Sequence, residues 1–172
     1  FGATMTSDGD DAVGFSTATE WPKLGSAMTV ECVFRIDGTL PVASEANLCS
    51  NKEAGGFGLY VSGDKLGFMH NVGGAYRKAV SSVPLDANRW YHAAAVWDGS
   101  EVLLYINGQL ADSSPAEGEV KAPVETAQRF TVGGDASPGD IQRDGAHPLV
   151  RIGLDLLFRL KYRNGAMAQE VV

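Results

Sequence analysis

Two dipeptides do most to limit what this chain can become. Asp98-Gly99 and Asn107-Gly108 lie nine residues apart within WYHAAAVWDGSEVLLYINGQLADSS, the run from Trp90 to Ser114. Asp-Gly and Asn-Gly suit tight hairpins because the central residues of a type I′ turn need positive φ. The run is therefore predicted to be a three-stranded antiparallel meander. In its middle strand Val102, Leu104 and Ile106 share one face while Leu103 and Tyr105 share the other. Both faces are apolar, so this strand is expected to be covered on both sides.

The same reading extends outward. Phe57 to Asn71 forms a second predicted hairpin turning at Gly63-Asp64, with residues 75 to 82 returning beside it. Residues 27 to 37 alternate, with Met28, Val30, Cys32, Phe34 and Ile36 on a core face and Thr29, Glu31, Val33 and Arg35 on a wetter one. Residues 128 to 134 and 149 to 160 supply two further candidate strands. No interior stretch carries a capped 3.6-residue apolar period, and only a short terminal turn at 166 to 172 is expected to be helical. The predicted class is all-β, a two-sheet antiparallel jelly-roll sandwich. Its long polar loops, 111 to 127 and 135 to 148, are punctuated by prolines and are where such a scaffold tends to place binding.

With 172 residues the chain suits one core, and 44% apolar against 20% charged residues is an ordinary globular balance. We expect a single domain over 1 to 172. A net charge of −7 argues against nucleic acid and anionic membranes, whose phosphates an acidic surface repels. Arg151, Arg159, Lys161 and Arg163 form the densest basic run, read as a solvated strand edge and tail. No apolar run is long enough to span a membrane. The chain begins at Phe1 without an initiator Met, which suggests excision from a larger protein.

Cys32 and Cys49 match no zinc or redox spacing. If residues 28 to 36 and 45 to 52 paired antiparallel, Cys32 would stand opposite Cys49 within disulfide reach. Two buried free thiols are the alternative.

Trp90-x-His92, Val96, Asp98-Gly99 and Leu104-Tyr105-Ile106-Asn107-Gly108, in that order, resemble the signature of laminin G-like/pentraxin-like domains of the concanavalin A-like superfamily. SDGDDAV at 7 to 13, MTVECVFR, GGFGLYVSGDKLGF and FTVGGD at 130 to 135 extend the resemblance over residues 5 to 135. The C-terminus departs from the family pattern, since Arg151 to Phe158 is more continuously apolar. The resemblance implies a concanavalin A-like sandwich, secreted or cell-surface residence, and often a calcium ion at the rim.

Retaining glycosidases share this fold and need two carboxyl groups about 5 Å apart, for which Glu-x-Asp-x-Glu on a strand is the natural pattern. It is absent. Glu117 and Glu119 have the spacing but lie in a loop, and no nucleophile-elbow, phosphate-loop or His-Glu-x-x-His motif occurs. His92 reads as a structural histidine. For calcium, a hard cation that seeks oxygens, Asp8, Asp10 and Asp135 are the first candidate ligands. For a glycan, Tyr76 and Arg77 with His70 from the preceding strand are the candidates, joining an aromatic platform to planar polar groups. The chain is thus expected to be no enzyme but a carbohydrate-binding accessory domain, with a protein-interaction or spacer role as the alternative and a glycoside hydrolase ranked last.

Overall fold

The structure, a computed structural model, describes residues 4–7, 13–15, 27–37, 40–52, 54–122, 130–133, 150–153, 160–164 and 167–171. Among these the regular elements are all strands: β1 (Thr4–Ser7), β2 (Val13–Phe15), β3 (Ala27–Ile36), β4 (Val42–Ser50), β5 (Phe57–Gly63), β6 (Lys65–Val72) and β7 (Ala75–Val80) in the first half. The second half adds β8 (Trp90–Trp97), β9 (Glu101–Ile106), β10 (Gln109–Pro115), β11 (Phe130–Val132), β12 (Val150–Gly153), β13 (Leu160–Asn164) and β14 (Met167–Val171). One eight-stranded sheet runs β1-β12-β3-β8-β9-β10, with β13 also pairing with β3 and β14 pairing with β13. A six-stranded sheet runs β2-β11-β4-β5-β6-β7. Every pairing is antiparallel.

The predicted meander is present as β8, β9 and β10, with Asn107 and Gly108 both at positive φ in its second turn. The hairpin of β5 and β6 turns at Gly63 and is followed by β7, again as expected. Alternation decides which residues enter the core. Met28, Val30, Cys32, Phe34 and Ile36 of β3 meet Leu59, Val61, Leu66 and Phe68 of the other sheet in one buried cluster. Phe34 stacks on Tyr91 at 5.8 Å between ring centroids, and Phe57 lies 6.2 Å from Phe130. Burying a side chain of this size is worth about 1.5–3 kcal/mol, so the interdigitated inner faces hold the sheets together.

Three expectations change. In β9 only Val102 and Leu104 are buried, whereas Leu103 and Tyr105 are half-buried on the outer face, because the core covers one side of this sheet. The terminal segment is the strand β14, not a helical turn. It pairs with β13 from Asn164↔Met167 to Leu160↔Val171, and Asn164-Gly165 is another turn dipeptide. The hypothetical pairing of residues 28–36 with 45–52 does not occur. β3 and β4 lie in different sheets, Cys32 pairing with Ala93 and Cys49 with Leu59 and Val132, and both cysteines are free, buried thiols. Each strand carries an inward apolar row that needs cover from the opposite sheet, which side-by-side pairing would not provide.

The atypical C-terminal part finds a defined place. β12 fills the gap between β1 and β3, through Thr6↔Arg151 and Arg151↔Arg35. At the far side, β7 and β10 are the edge strands of the two sheets and lie against each other. There the Val80 N–H donates to Asp112 Oδ2 at 2.7 Å, just past the irregularity between Leu110 and Asp112.

Candidate functional site

The outward row of β8 opens on solvent. Within WYHAAAVW, Tyr91, Ala93, Ala95 and Trp97 turn inward, which leaves Trp90, His92, Ala94 and Val96 on the outer face. Register then sets their neighbours. Arg35 stands beside Trp90, Val33 beside His92, and Glu31, Ala94, Tyr105 and Leu110 form one cross-strand row. Directly opposed strand residues are about 5 Å apart, so the small Ala94 leaves a shallow floor walled by Glu31, His92 and Tyr105.

Trp90 is 43% exposed, unusual for so large an apolar ring in a regular strand. The Arg35 guanidinium lies 5.2 Å from its ring centroid, in cation–π range, and forks onto Asp37 through Nε to Oδ1 at 2.6 Å and Nη2 to Oδ2 at 3.2 Å. His92 Nε2 lies 4.0 Å from Glu31 Oε2, with both side chains part-exposed. The His92 backbone is fixed by Asn107, whose Oδ1 accepts from its N–H at 2.9 Å and whose own N–H donates to its carbonyl at 2.8 Å. An aromatic plate, a carboxylate, an imidazole and a guanidinium therefore share one accessible face. Such a set can stack on the C–H face of a sugar and exchange hydrogen bonds with its hydroxyls.

Sequence reasoning read His92, within the apolar Trp90 to Trp97 strand, as structural. The missed signal was the period-2 alternation within that strand, combined with Glu31 and Arg35 on the wetter face of β3. Register, which brings the two rows together, is not legible from either strand alone.

The glycan candidates do not converge. His70 is fully buried, with its ring 5.3 Å from Trp97 and 6.3 Å from both Phe57 and Phe68. Desolvation pushes its pKa down to about 4, with the nearby Gly56 backbone acting in the opposite direction. Neither of its ring nitrogens has a hydrogen-bond partner, nor does Trp97 Nε1. Tyr76, on the opposite face of its sheet, clamps a loop by donating to the Gly55 carbonyl at 2.7 Å and accepting from the Gly55 N–H at 3.2 Å. Arg77 pairs with His70 in register but is exposed on the edge strand. Asp8, Asp10 and Asp135 lie outside the described residues. Among the described residues no group of three or more His, Cys, Asp or Glu is placed to hold a metal. Glu117 and Glu119 are solvent-exposed in the loop after β10.

The outer face of the six-stranded sheet is built differently. Tyr60 lies flat over Gly67, where an added Cβ would come within 2.4 Å of its ring, and Lys52 crosses Gly58 to reach Glu45 and the Tyr60 ring. Burial and the nearby Glu45 raise the Tyr60 pKa. Asn47 and Asn71 are buried here with unpaired Oδ1 atoms. Burial also raises the thiol of Cys32 to about 12, and burial together with the nearby Cys32 raises that of Cys49 well above its ordinary value.

A family model described as the concanavalin A-like lectin/glucanases superfamily, of laminin G type, matches residues 7–152. The chain belongs to this superfamily. No curated protein matches it. Among solved structures, the binding domain of Paraclostridial Mosquitocidal Protein 1 is similar with a TM-score of 0.66 and 13% identity, over 95% of this chain and 40% of that one. The botulinum neurotoxin serotype D ligand-binding domain, solved with N-acetylneuraminic acid, gives a TM-score of 0.65 at 15% identity, over 87% and 37%. The botulinum neurotoxin DC binding domain, solved with SialylT, gives 0.65 at 14%, over 90% and 37%. At these identities the likeness is one of fold. The laminin G-like chain spans about two fifths of each of these structures or less.

Proposed function

We propose that this laminin G-like domain is a non-catalytic carbohydrate-recognition module of a larger secreted or cell-surface protein, and that it binds glycan on the outer face of its eight-stranded sheet. The observation that carries the reading is Trp90, held 43% exposed beside Arg35, His92 and Glu31. Two similar folds solved with a sialic acid or a sialylated ligand support it. The binding roles in the names of the similar domains support a non-catalytic role, as does the absence of a Glu-x-Asp-x-Glu pattern.

A glycan array followed by titration calorimetry tests this reading. Binding of at least one saccharide, weakened about tenfold or more by Trp90→Ala, is expected, because stacking on an exposed ring supplies affinity without holding the fold. A blank array together with a protein captured specifically from extracellular extract would favour the interaction role, which Leu110, 56% exposed on the same face, supports. Hydrolysis of a polysaccharide panel by the chain would overturn the non-catalytic reading. Calcium at Asp8, Asp10 and Asp135 is a separate proposal. It requires a melting temperature that rises with calcium and falls with chelator.

A further inference from the structure

The large apolar side chains left exposed among the described residues are Val80, Val83, Trp90 and Leu110. Register places all of them at one end of the sandwich. Trp90 opens β8 opposite Arg35, at the close of β3, and Leu110 follows the Asn107-Gly108 turn. Val80 closes β7 opposite Gly67, near the turn at Gly63 and Asp64. Val83 lies in the connection from β7 to β8, which ties the two sheets together at this end. There the Leu85 N–H donates to the Asp64 carbonyl and the Asn88 N–H to the Ile36 carbonyl, both at 2.7 Å. The opposite end, with the turns at Gly73-Gly74 and Asp98-Gly99, exposes no large apolar side chain among the described residues.

These side chains ring that end and do not share one patch. Val80 faces outward from the six-stranded sheet, on the face where Tyr60 covers Gly67, whereas Trp90 and Leu110 face outward from the eight-stranded sheet. A belt on both faces suits immersion of the whole end, while a docked protein would cover one side of it. A strand rises about 3.3 Å per residue, so the belt lies within about 10 Å of the turns. Apolar faces at a membrane surface sink to roughly that depth, and an indole ring favours the headgroup level. The charges agree. Each described cation close to these turns has an acid beside it: Arg35 with Asp37 at 2.6 Å, Lys65 with Asp64 at 4.0 Å and Arg89 with Asp86 at 3.3 Å. Such self-paired charges, on a chain of net charge −7, suit a zwitterionic surface and not an anionic one.

We propose that this end of the domain is a membrane-docking tip, which enters the headgroup layer of a zwitterionic bilayer with Val83 leading and Val80, Trp90 and Leu110 at its flanks. Docking is peripheral, through turns and strand ends, and no helix among the described residues is long and apolar enough to cross a membrane. The proposal goes beyond the glycan reading and does not depend on it.

Co-sedimentation of the full chain with sugar-free vesicles of pure phosphatidylcholine tests this, because no saccharide is present to bind. The protein should travel with the vesicles, and its tryptophan emission should shift to the blue, a shift that Trp90→Phe abolishes. Val83→Asp, outside the candidate glycan site, should weaken vesicle binding at least about tenfold, since a charge replaces an apolar group at the surface that enters the lipid. Its melting temperature should match that of the unmodified protein, because Val83 is exposed. Adding anionic phosphatidylserine should weaken binding. No co-sedimentation at millimolar lipid, or binding that survives both Val83→Asp and Leu110→Asp, overturns the proposal. Self-association that Val83→Asp abolishes, with vesicles ignored, overturns it too and assigns this end to contact with a second copy. Saccharide binding is read on a separate array, so failure of either reading leaves the other standing.

Discussion

His70 and His92 occupy neighbouring regions of this sandwich and meet opposite physics. His70 sits in the six-stranded sheet with its ring walled by Phe57, Phe68 and Trp97, fully buried and without a hydrogen bond. His92, on a strand of the other sheet, turns outward beside Glu31 and the exposed Trp90. One strand, β8, serves both regions, giving Trp97 to the first and Trp90 to the second. The difference teaches that parity along a strand, more than residue type, divides structural side chains from those free to meet a ligand.

The contrast breaks most sharply if truncation costs the two regions equally. Phe68→Ala should remove about 3–5 kcal/mol of stability, because a fully buried ring leaves a cavity. Trp90→Ala should cost under about 1 kcal/mol. Urea unfolding of the two variants side by side measures both, and comparable losses would place Trp90 in the core.

Acidification should separate the histidines next. An unfolded His70 takes up a proton near its ordinary value of 6.5, whereas the folded one resists until about 4. Stability is therefore full above pH 6.5 and lost as pH falls through that window, by about 3 kcal/mol in total from this group. Denaturation midpoints recorded from pH 7.5 to 4 should show the slope, and His70→Leu should flatten it. A slope unchanged in that variant would assign the acid sensitivity elsewhere.

Gly67→Ala probes the other outer face. Its Cβ would meet the Tyr60 ring at 2.4 Å, so a loss of about 1–3 kcal/mol is expected from the forced shift. A neutral outcome would mean that Tyr60 moves aside freely. The smallest effect belongs to the turn between β8 and β9. Asp98 Oδ1 accepts from the Ser100 N–H, the Ser100 hydroxyl and the Glu101 N–H, which holds its carboxyl below the usual range. Asp98→Ala should cost about 1 kcal/mol or less and leave the melting profile two-state.

Turn chemistry and alternation made most of the sandwich legible in the sequence. Asp98-Gly99, Asn107-Gly108 and Gly63-Asp64 each mark an observed turn between observed strands. Partners of strands separated by long connections were not legible, because alternation fixes which side of a strand is apolar and leaves its neighbour open. Hence Cys32 and Cys49 suggested a hairpin where the chain crosses between sheets, and β14 was read as a helical turn although Asn164-Gly165 precedes it. The candidate site suffered in the same way. Tyr76, Arg77 and His70 are close in sequence and register, but one clamps a loop, one lies on an edge and one is buried. Trp90, Glu31 and Arg35 come together only through the β3–β8 register.

The bond from the Val80 N–H to Asp112 reaches beyond local geometry. An edge strand with free amides is a template for any passing chain, and a carboxylate reaching across to such an amide occupies it. By fastening the rim of one sheet to the rim of the other, Asp112 removes the Val80 amide from those that strand exchange or fibre-like growth could use at β7. The bond thus gives the open end of the sandwich a clasp between its two sheets, and losing it would free one edge amide for a neighbouring chain.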